Sequence, residues 1–108
     1  MAALTLVRAG AKVCLIDRAA FPRPKLCGDT LNPGALAVLR RAGVSRDIEA
    51  NGLPLEGMRV TGSGVAVDGR YPGDIRGLSI RRDLLDSCLV ADAVSAGAEF
   101  RDRMRAGE

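Results

Sequence analysis

Residues 22–29, Pro-Arg-Pro-Lys-Leu-Cys-Gly-Asp, place two cations, a thiol and a carboxylate in eight positions just after an apolar run. A turn accounts for the two prolines and the glycine. It does not account for Arg23, Lys25, Cys27 and Asp29. A cysteine outside a disulfide is usually a small buried hydrophobe, so its residue type alone gives Cys27 no chemical role. A lone lysine such as Lys25 is most often a solvated surface cation. Five residues before the stretch stands Asp17, closing the apolar run Val13–Ile16. Dinucleotide-binding folds place at such a strand end the acid that accepts a ribose hydroxyl, and a carboxylate suits the task because it takes two hydroxyl donors at once. The plainer reading of Asp17 is a polar strand end, and spacing alone does not separate the two.

Composition removes several kinds of chemistry. The chain has no histidine, so imidazole general bases and histidine-ligated metals are excluded within it. Cys14, Cys27 and Cys88 are odd in number, far apart and without CxxC spacing, which argues for reduced thiols in a cytoplasmic setting and against a disulfide frame or a zinc site. Metal ligands are therefore not expected. The net charge of +3 comes from 16 basic and 13 acidic residues, and part of the excess lies in Arg101, Arg103 and Arg105. With only Phe21, Tyr71 and Phe100 as aromatics there is no stacking platform for bases, so nucleic acid is not an expected partner. No apolar run approaches the ~18 residues a membrane span needs, and no secretion signal pattern opens the chain.

The elements that must carry these residues follow from pattern. Ala2–Gly10 reads as a short helix capped by Gly10. Val13–Ile16 is a continuous aliphatic run, as in a parallel strand buried on both faces. After the 22–29 loop, Asn32 is placed as an N-cap with Pro33 at the first helical position, and the helix runs to Gly43 with Leu36 and Leu39 on one side. Residues 45–52 add a single turn. From Leu53 to Ile80 the period changes to alternation, at Met58 and Val60 and at Val65 and Val67, with Gly62, Gly64 and Gly69 expected at tight turns. A return helix then carries Leu85, Leu89 and Ala93 at i, i+4 and i+8 and ends at Gly97, with a strand expected from Ala98 to Arg101. Cys14 and Cys88 fall on apolar faces and are expected in the core.

A family resemblance attaches to these residues. The stretch from Leu4 to Val44 resembles the N-terminal FAD-binding region of the geranylgeranyl reductase family, within the wider flavoprotein group of para-hydroxybenzoate hydroxylase and the flavin-dependent halogenases. The family's proline, four residues, then cysteine–glycine is matched by Pro22, Cys27 and Gly28, while its second glycine is replaced by Asp29. A later arginine, hydrophobic residue and acid are matched by Arg82, Leu85 and Asp86. The resemblance implies an α/β fold: an incomplete Rossmann-like FAD-binding domain with a short antiparallel β excursion. Residues 1–52 would be a partial FAD-binding region, 53–80 strands toward the substrate side, and 81–108 the return helix and the start of a strand.

The same resemblance implies roles. Asp17 becomes the acceptor for the adenosine ribose hydroxyls of FAD, and Arg18 beside it either lies along the adenine or points to solvent. Arg23 or Lys25 offsets pyrophosphate charge. Gly28 lets the backbone approach the flavin or its ribityl chain, with Asp29 and Thr30 hydrogen-bonding around the cofactor. Cys27 faces the isoalloxazine and the substrate and is the catalytic candidate. Arg82 either contacts the FAD phosphate or adenosine or is a surface cation at a helix start. Counting back ~20 residues from Asp17 to a GxGxxG fingerprint runs past Met1. Met1 is therefore expected not to be the natural start of the fold, and the 108-residue chain alone is expected to bind FAD weakly or not at all.

The implied reaction is flavin-mediated reduction of carbon–carbon double bonds in an apolar isoprenoid substrate. A nicotinamide or other reductant would recharge the flavin, in a cytoplasmic enzyme with peripheral membrane contact. A monooxygenase or halogenase of the same fold is the competing reading. A non-catalytic remnant or interaction domain is the reading from another class.

Overall fold

The computed structural model describes residues 1–107. In chain order the elements are α1 (Ala2–Arg8), β1 (Cys14–Ile16), β2 (Thr30–Leu31), α2 (Pro33–Arg41), α3 (Arg46–Ala50), β3 (Leu53–Leu55), β4 (Gly57–Gly62), β5 (Val65–Arg70), β6 (Gly77–Ser79), α4 (Arg82–Ser95) and β7 (Glu99–Arg101). The fold is α/β, and the chain forms two compact units. The first holds residues 1–26 and 82–107, and the second holds Cys27–Arg81.

In the first unit β1 and β7 pair in parallel, with Cys14 opposite Glu99, Leu15 opposite Phe100 and Ile16 opposite Arg101. Helix α1 packs on α4, and α4 packs on β7. Leu4, Ala93 and Ala98 are the buried residues. Helix α1 ends as its sequence predicts. Gly10 adopts φ +88°, its N–H donates to the Val7 carbonyl at 2.8 Å, and the Ala11 N–H donates to the Leu6 carbonyl at 3.0 Å. This paired closure satisfies two helix-end carbonyls and needs a residue that tolerates positive φ. The end of α4 repeats the pattern through Gly97 and Ala98, which donate to Val94 and Ala93.

One expectation fails here. Strand β1 is not buried on both faces, since Cys14 is exposed and Ile16 is 37% exposed. Among the described residues the sheet of this unit has two strands, so β1 has a neighbour on one side only. Cys14 is accordingly not a core residue, and Cys88 is half-buried. The return-helix stripe is likewise only partly core: Ala93 is buried, whereas Leu85 and Leu89 are half-buried.

The second unit has a three-stranded antiparallel sheet in the order β2-β6-β3 and a separate β4-β5 hairpin. Helix α2 starts as expected, with Asn32 Oδ1 accepting from the Ala35 N–H at 2.8 Å and Pro33 in the first turn. It packs on β2 and β6. Leu36, Leu39, Val44, Ile48, Leu78 and Ile80 form the core. The hairpin register runs from Gly57 opposite Arg70 to Gly62 opposite Val65. Its turn is Ser63-Gly64, both at positive φ, as a two-residue hairpin requires. Gly62 and Gly69, against the turn positions that the sequence predicts for them, lie within the paired strands. Small residues mark a turn only where the backbone adopts turn dihedrals, and pairing decides that.

Candidate functional site

Asp17 follows β1 directly and is held at four points. Its N–H donates to the Arg101 carbonyl at 3.1 Å, and its carbonyl accepts from the Met104 N–H at 2.9 Å. Its carboxylate accepts from the Ala19 N–H on Oδ1 at 2.9 Å and from Arg23 Nε on Oδ2 at 2.8 Å. The segment after β7 also braces the one after β1, with the Phe21 N–H donating to Asp102 Oδ2 at 3.2 Å and the Arg103 N–H to the Ala19 carbonyl at 3.3 Å. The Ala19 N–H is the main influence holding the Asp17 carboxyl below its ordinary range. Burial opposes that effect, and the Arg23 hydrogen bond and charge add to it. Asp17 is therefore an ionised acceptor with a fixed backbone.

Arg23 joins this carboxylate to α4. Its Nη2 lies 3.4 Å from Asp86 Oδ2, and its guanidinium stands 5.2 Å from the centre of the Phe21 ring, which meets Phe100 edge-on at 5.0 Å. Asp86 takes a second cation on its other oxygen, from Arg82 Nε at 2.6 Å. Among the described residues Asp86 Oδ2 makes no hydrogen bond, so the longer Arg23 contact is its charge partner. The four groups alternate in sign as Asp17, Arg23, Asp86 and Arg82. All four line one cavity of about 370 Å³, walled by Leu15, Leu89 and Phe100 and bordered by the start of α1. That size and mix of apolar wall and few polar groups is typical of small-molecule sites.

Asp17 and Arg23 also face a second hollow, of about 510 Å³, with Arg18 and Lys25 on its lining. The structure thus brings together Asp17, Arg18, Lys25 and Arg82 with Arg23 in the first unit. Cys27, Gly28 and Asp29 belong to the second unit, where all three are exposed. Asp29 adopts φ +48°, and its carbonyl accepts from the Ile80 N–H at 2.9 Å. The position where the family pattern has a second glycine is thus one of positive φ, which aspartate tolerates better than most residues. An added methyl at Gly28 would meet only Thr30 Oγ1, at 3.8 Å.

Asp86 is a further member of the site, and the i,i+4 spacing from Arg82 is the sequence signal for its ion pair on one helix face. The charge of Arg23 by itself suggests only a phosphate cation. No periodicity links Arg23 to Asp17 and Asp86, so their pairing had no signal in the sequence. Among the described residues no cluster of potential metal ligands occurs, and no helix is long and apolar enough to cross a membrane.

Residues 1–107 match the FAD binding domain family. The chain belongs to that family. A menaquinone reductase of Mycobacterium tuberculosis (strain CDC 1551 / Oshkosh) is 42% identical over 102 residues, covering 92% of this chain and 25% of the relative. The flavin-dependent halogenase CmlS superposes with a TM-score of 0.85 at 25% identity, over 99% of this chain and 21% of its own. A geranylgeranyl bacteriochlorophyll reductase-like protein from Thermoplasma acidophilum superposes with a TM-score of 0.73 at 27% identity, over 94% of this chain and 26% of its own. The chain spans about a quarter of the length of the curated relatives it matches. FAD is the cofactor of this domain, and its fold is shared by a flavin-dependent halogenase and a reductase-like protein.

The Asp17 carboxylate keeps acceptor capacity of the kind a ribose diol of FAD would use. A carboxylate has roughly four acceptor positions, and donors from the chain take one on each oxygen of Asp17. An acceptor position remains on each for a pair of vicinal hydroxyls.

Proposed function

We propose that this chain is the FAD-binding part of a flavoenzyme that reduces carbon–carbon double bonds in isoprenoid compounds. The observation that carries the reading is the ionised, backbone-anchored Asp17 at the end of a parallel strand, on the rim of a cavity, in a chain of the FAD binding domain family. FAD, once reduced, supplies the hydride for such a reaction. In the chain, Asp17 binds the adenosine ribose and Leu15, Leu89 and Phe100 keep water from that half of the ligand. Arg18, Lys25 and Arg82 are cations for its adenine or phosphate groups. Gly28 and Asp29 form the backbone that passes near the flavin, and Cys27 faces the reacting part of the substrate.

Two similarities favour reduction over halogenation: the 42% identity to a menaquinone reductase and the 27% identity to a geranylgeranyl bacteriochlorophyll reductase-like protein. Both names specify compounds that carry an isoprenoid chain. An apolar substrate of that kind suits a cytoplasmic enzyme working at a membrane surface, with a nicotinamide or other reductant recharging the flavin. The TM-score of 0.85 to CmlS keeps a halogenase or monooxygenase as the second reading.

Two measurements test these readings. FAD titration by flavin fluorescence, on this chain or on a longer protein that contains it, should show Asp17→Asn binding roughly 10–100-fold more weakly, the loss expected for hydrogen bonds to a charged acceptor. Unchanged affinity would remove Asp17 from the site. Photoreduced flavoprotein under anaerobic conditions should be reoxidised by a polyprenyl alkene, which should gain two hydrogens at one double bond by mass spectrometry. Reoxidation that instead needs oxygen, with a halogenated or hydroxylated product, would favour the second reading.

A further inference from the structure

We propose that Arg23 is a positioning residue for Asp17, clamping its carboxylate so that the two remaining acceptor positions serve the two hydroxyls of a ribose. The proposal rests on the assignment of Asp17 to the adenosine ribose. Arg23 is placed for it by three contacts: Nε on Asp17 Oδ2 at 2.8 Å, Nη2 near Asp86 Oδ2 at 3.4 Å, and the Phe21 ring 5.2 Å from the guanidinium carbon. A guanidinium held on one side by a carboxylate and standing over an aromatic ring has little freedom to turn. The carboxylate it grips is then fixed about its own last torsion, since the Ala19 N–H holds the other oxygen at 2.9 Å.

The arrangement also explains why an arginine in a loop of prolines is not exposed. The Arg23 side chain is 21% exposed and the Asp86 side chain 11%, and the charge of Arg23 is shared between two acids. That leaves Arg23 poorly suited to be the cation for a pyrophosphate, the role it was weighed for from sequence. Lys25, which is exposed beside the same hollow, is the better candidate for that charge. Arg82 completes the alternation by taking the other oxygen of Asp86, so Asp86 keeps a partner on each side.

The test needs the protein, 5′-AMP and 2′,3′-dideoxy-AMP as probes, and carbon-detected NMR of the Asp17 carboxyl. Wild type should prefer AMP over the dideoxy compound by roughly 10-fold or more, as expected for hydrogen bonds to a charged acceptor, and Asp17→Asn should erase that preference. Arg23→Gln should reduce the preference at least about threefold and move the Asp17 titration upward, and Arg23→Lys should restore the titration more fully than the preference, because an ammonium supplies charge without the fork. A folded Arg23→Gln protein with an unchanged preference overturns the proposal, whether or not the titration moves. Should Arg23→Gln not fold, Asp86→Asn releases the far side of the clamp and should lower the same preference; an unaltered preference there overturns it equally. The two readings fail differently. A wild type indifferent to the hydroxyls, matched by Asp17→Asn, refutes the ribose assignment, and the positioning proposal falls with it. A preference lost in Asp17→Asn but intact in the Arg23 variants refutes the positioning alone.

Discussion

At Gly28 an added methyl would come no nearer than 3.8 Å to another atom of the chain, so nothing in the fold of this unit demands a glycine. In the proposed function the missing side chain leaves room for the flavin, near which the family pattern is expected to bring the Cys27-Gly28 pair. Gly28→Ala should therefore leave unfolding free energy within about 0.5 kcal/mol of wild type while weakening FAD binding. Measuring chemical denaturation and flavin titration on the same variant separates the two, and equal FAD affinity would mean that the cofactor does not approach this backbone. A second residue-scale expectation concerns pH. The Glu49 carboxylate accepts two hydrogen bonds from Arg40, at 2.9 and 2.6 Å, and that contact pulls its pKa down from 4.5 to about 2 against the opposing effect of burial, with Ser45 also assisting. A carboxylate whose pKa falls on folding contributes its full share above the unfolded value and loses it as pH drops toward the folded one. Stability should fall between pH 4.5 and 2 less steeply in Glu49→Gln than in wild type, and the difference should shrink in high salt because the pair is partly exposed. Thermal unfolding across that pH window checks the sign, and identical slopes would remove the pair from the acid response.

The ends of the elements are where the sequence spoke most plainly. Asn32-Pro33 at the start of α2 and the glycines closing α1 and α4 were legible because a cap is a local matter of one side-chain oxygen or one backbone dihedral. Gly97 stands at φ +110°, with Val7 Cγ1 only 3.5 Å from where a methyl would sit. Gly97→Ala should cost roughly 1 kcal/mol or more, since alanine resists positive φ. Asn32→Ala should cost about 1 kcal/mol by leaving a helix N–H without its acceptor. Urea unfolding measures both, and a neutral Gly97→Ala would mean that α4 can end another way. Elements that depend on distant partners were less legible. Strand β2 is two residues long and exists because Thr30 and Leu31 meet Ser79 and Leu78, about fifty residues away. Nothing in an isolated Thr-Leu announces that. The exposure of β1 was hidden for the same reason: an aliphatic run states what a strand prefers to touch, and the two-stranded sheet determines what it touches here.

Over the whole molecule, burial is concentrated rather than spread. The second unit holds Leu36, Leu39, Val44, Ile48, Leu78 and Ile80 at no more than 6% exposure, while every residue from Met58 to Arg70 is exposed. The class of the fold and its cofactor were legible from sequence because the Leu4–Val44 stretch carries a family pattern. The joining of Asp17, Arg23, Asp86 and Arg82 was not, since it needs β1, the loop after it and α4 in place together. Local opening free energy follows buried apolar contact, so native-state hydrogen exchange should rank the chain in a definite order. Amides of α2 and β6 should exchange last in their unit and those of β4 and β5 first, although β4 and β5 are fully paired in register. Ile48→Ala, at a site with no exposure at all, should lower the slow group by about 2–5 kcal/mol and leave the hairpin amides where they were. Protection of the hairpin equal to that of α2 would show that its exposed Met58, Val60, Val65 and Val67 face is covered in solution, by a second copy if the protection rises with protein concentration.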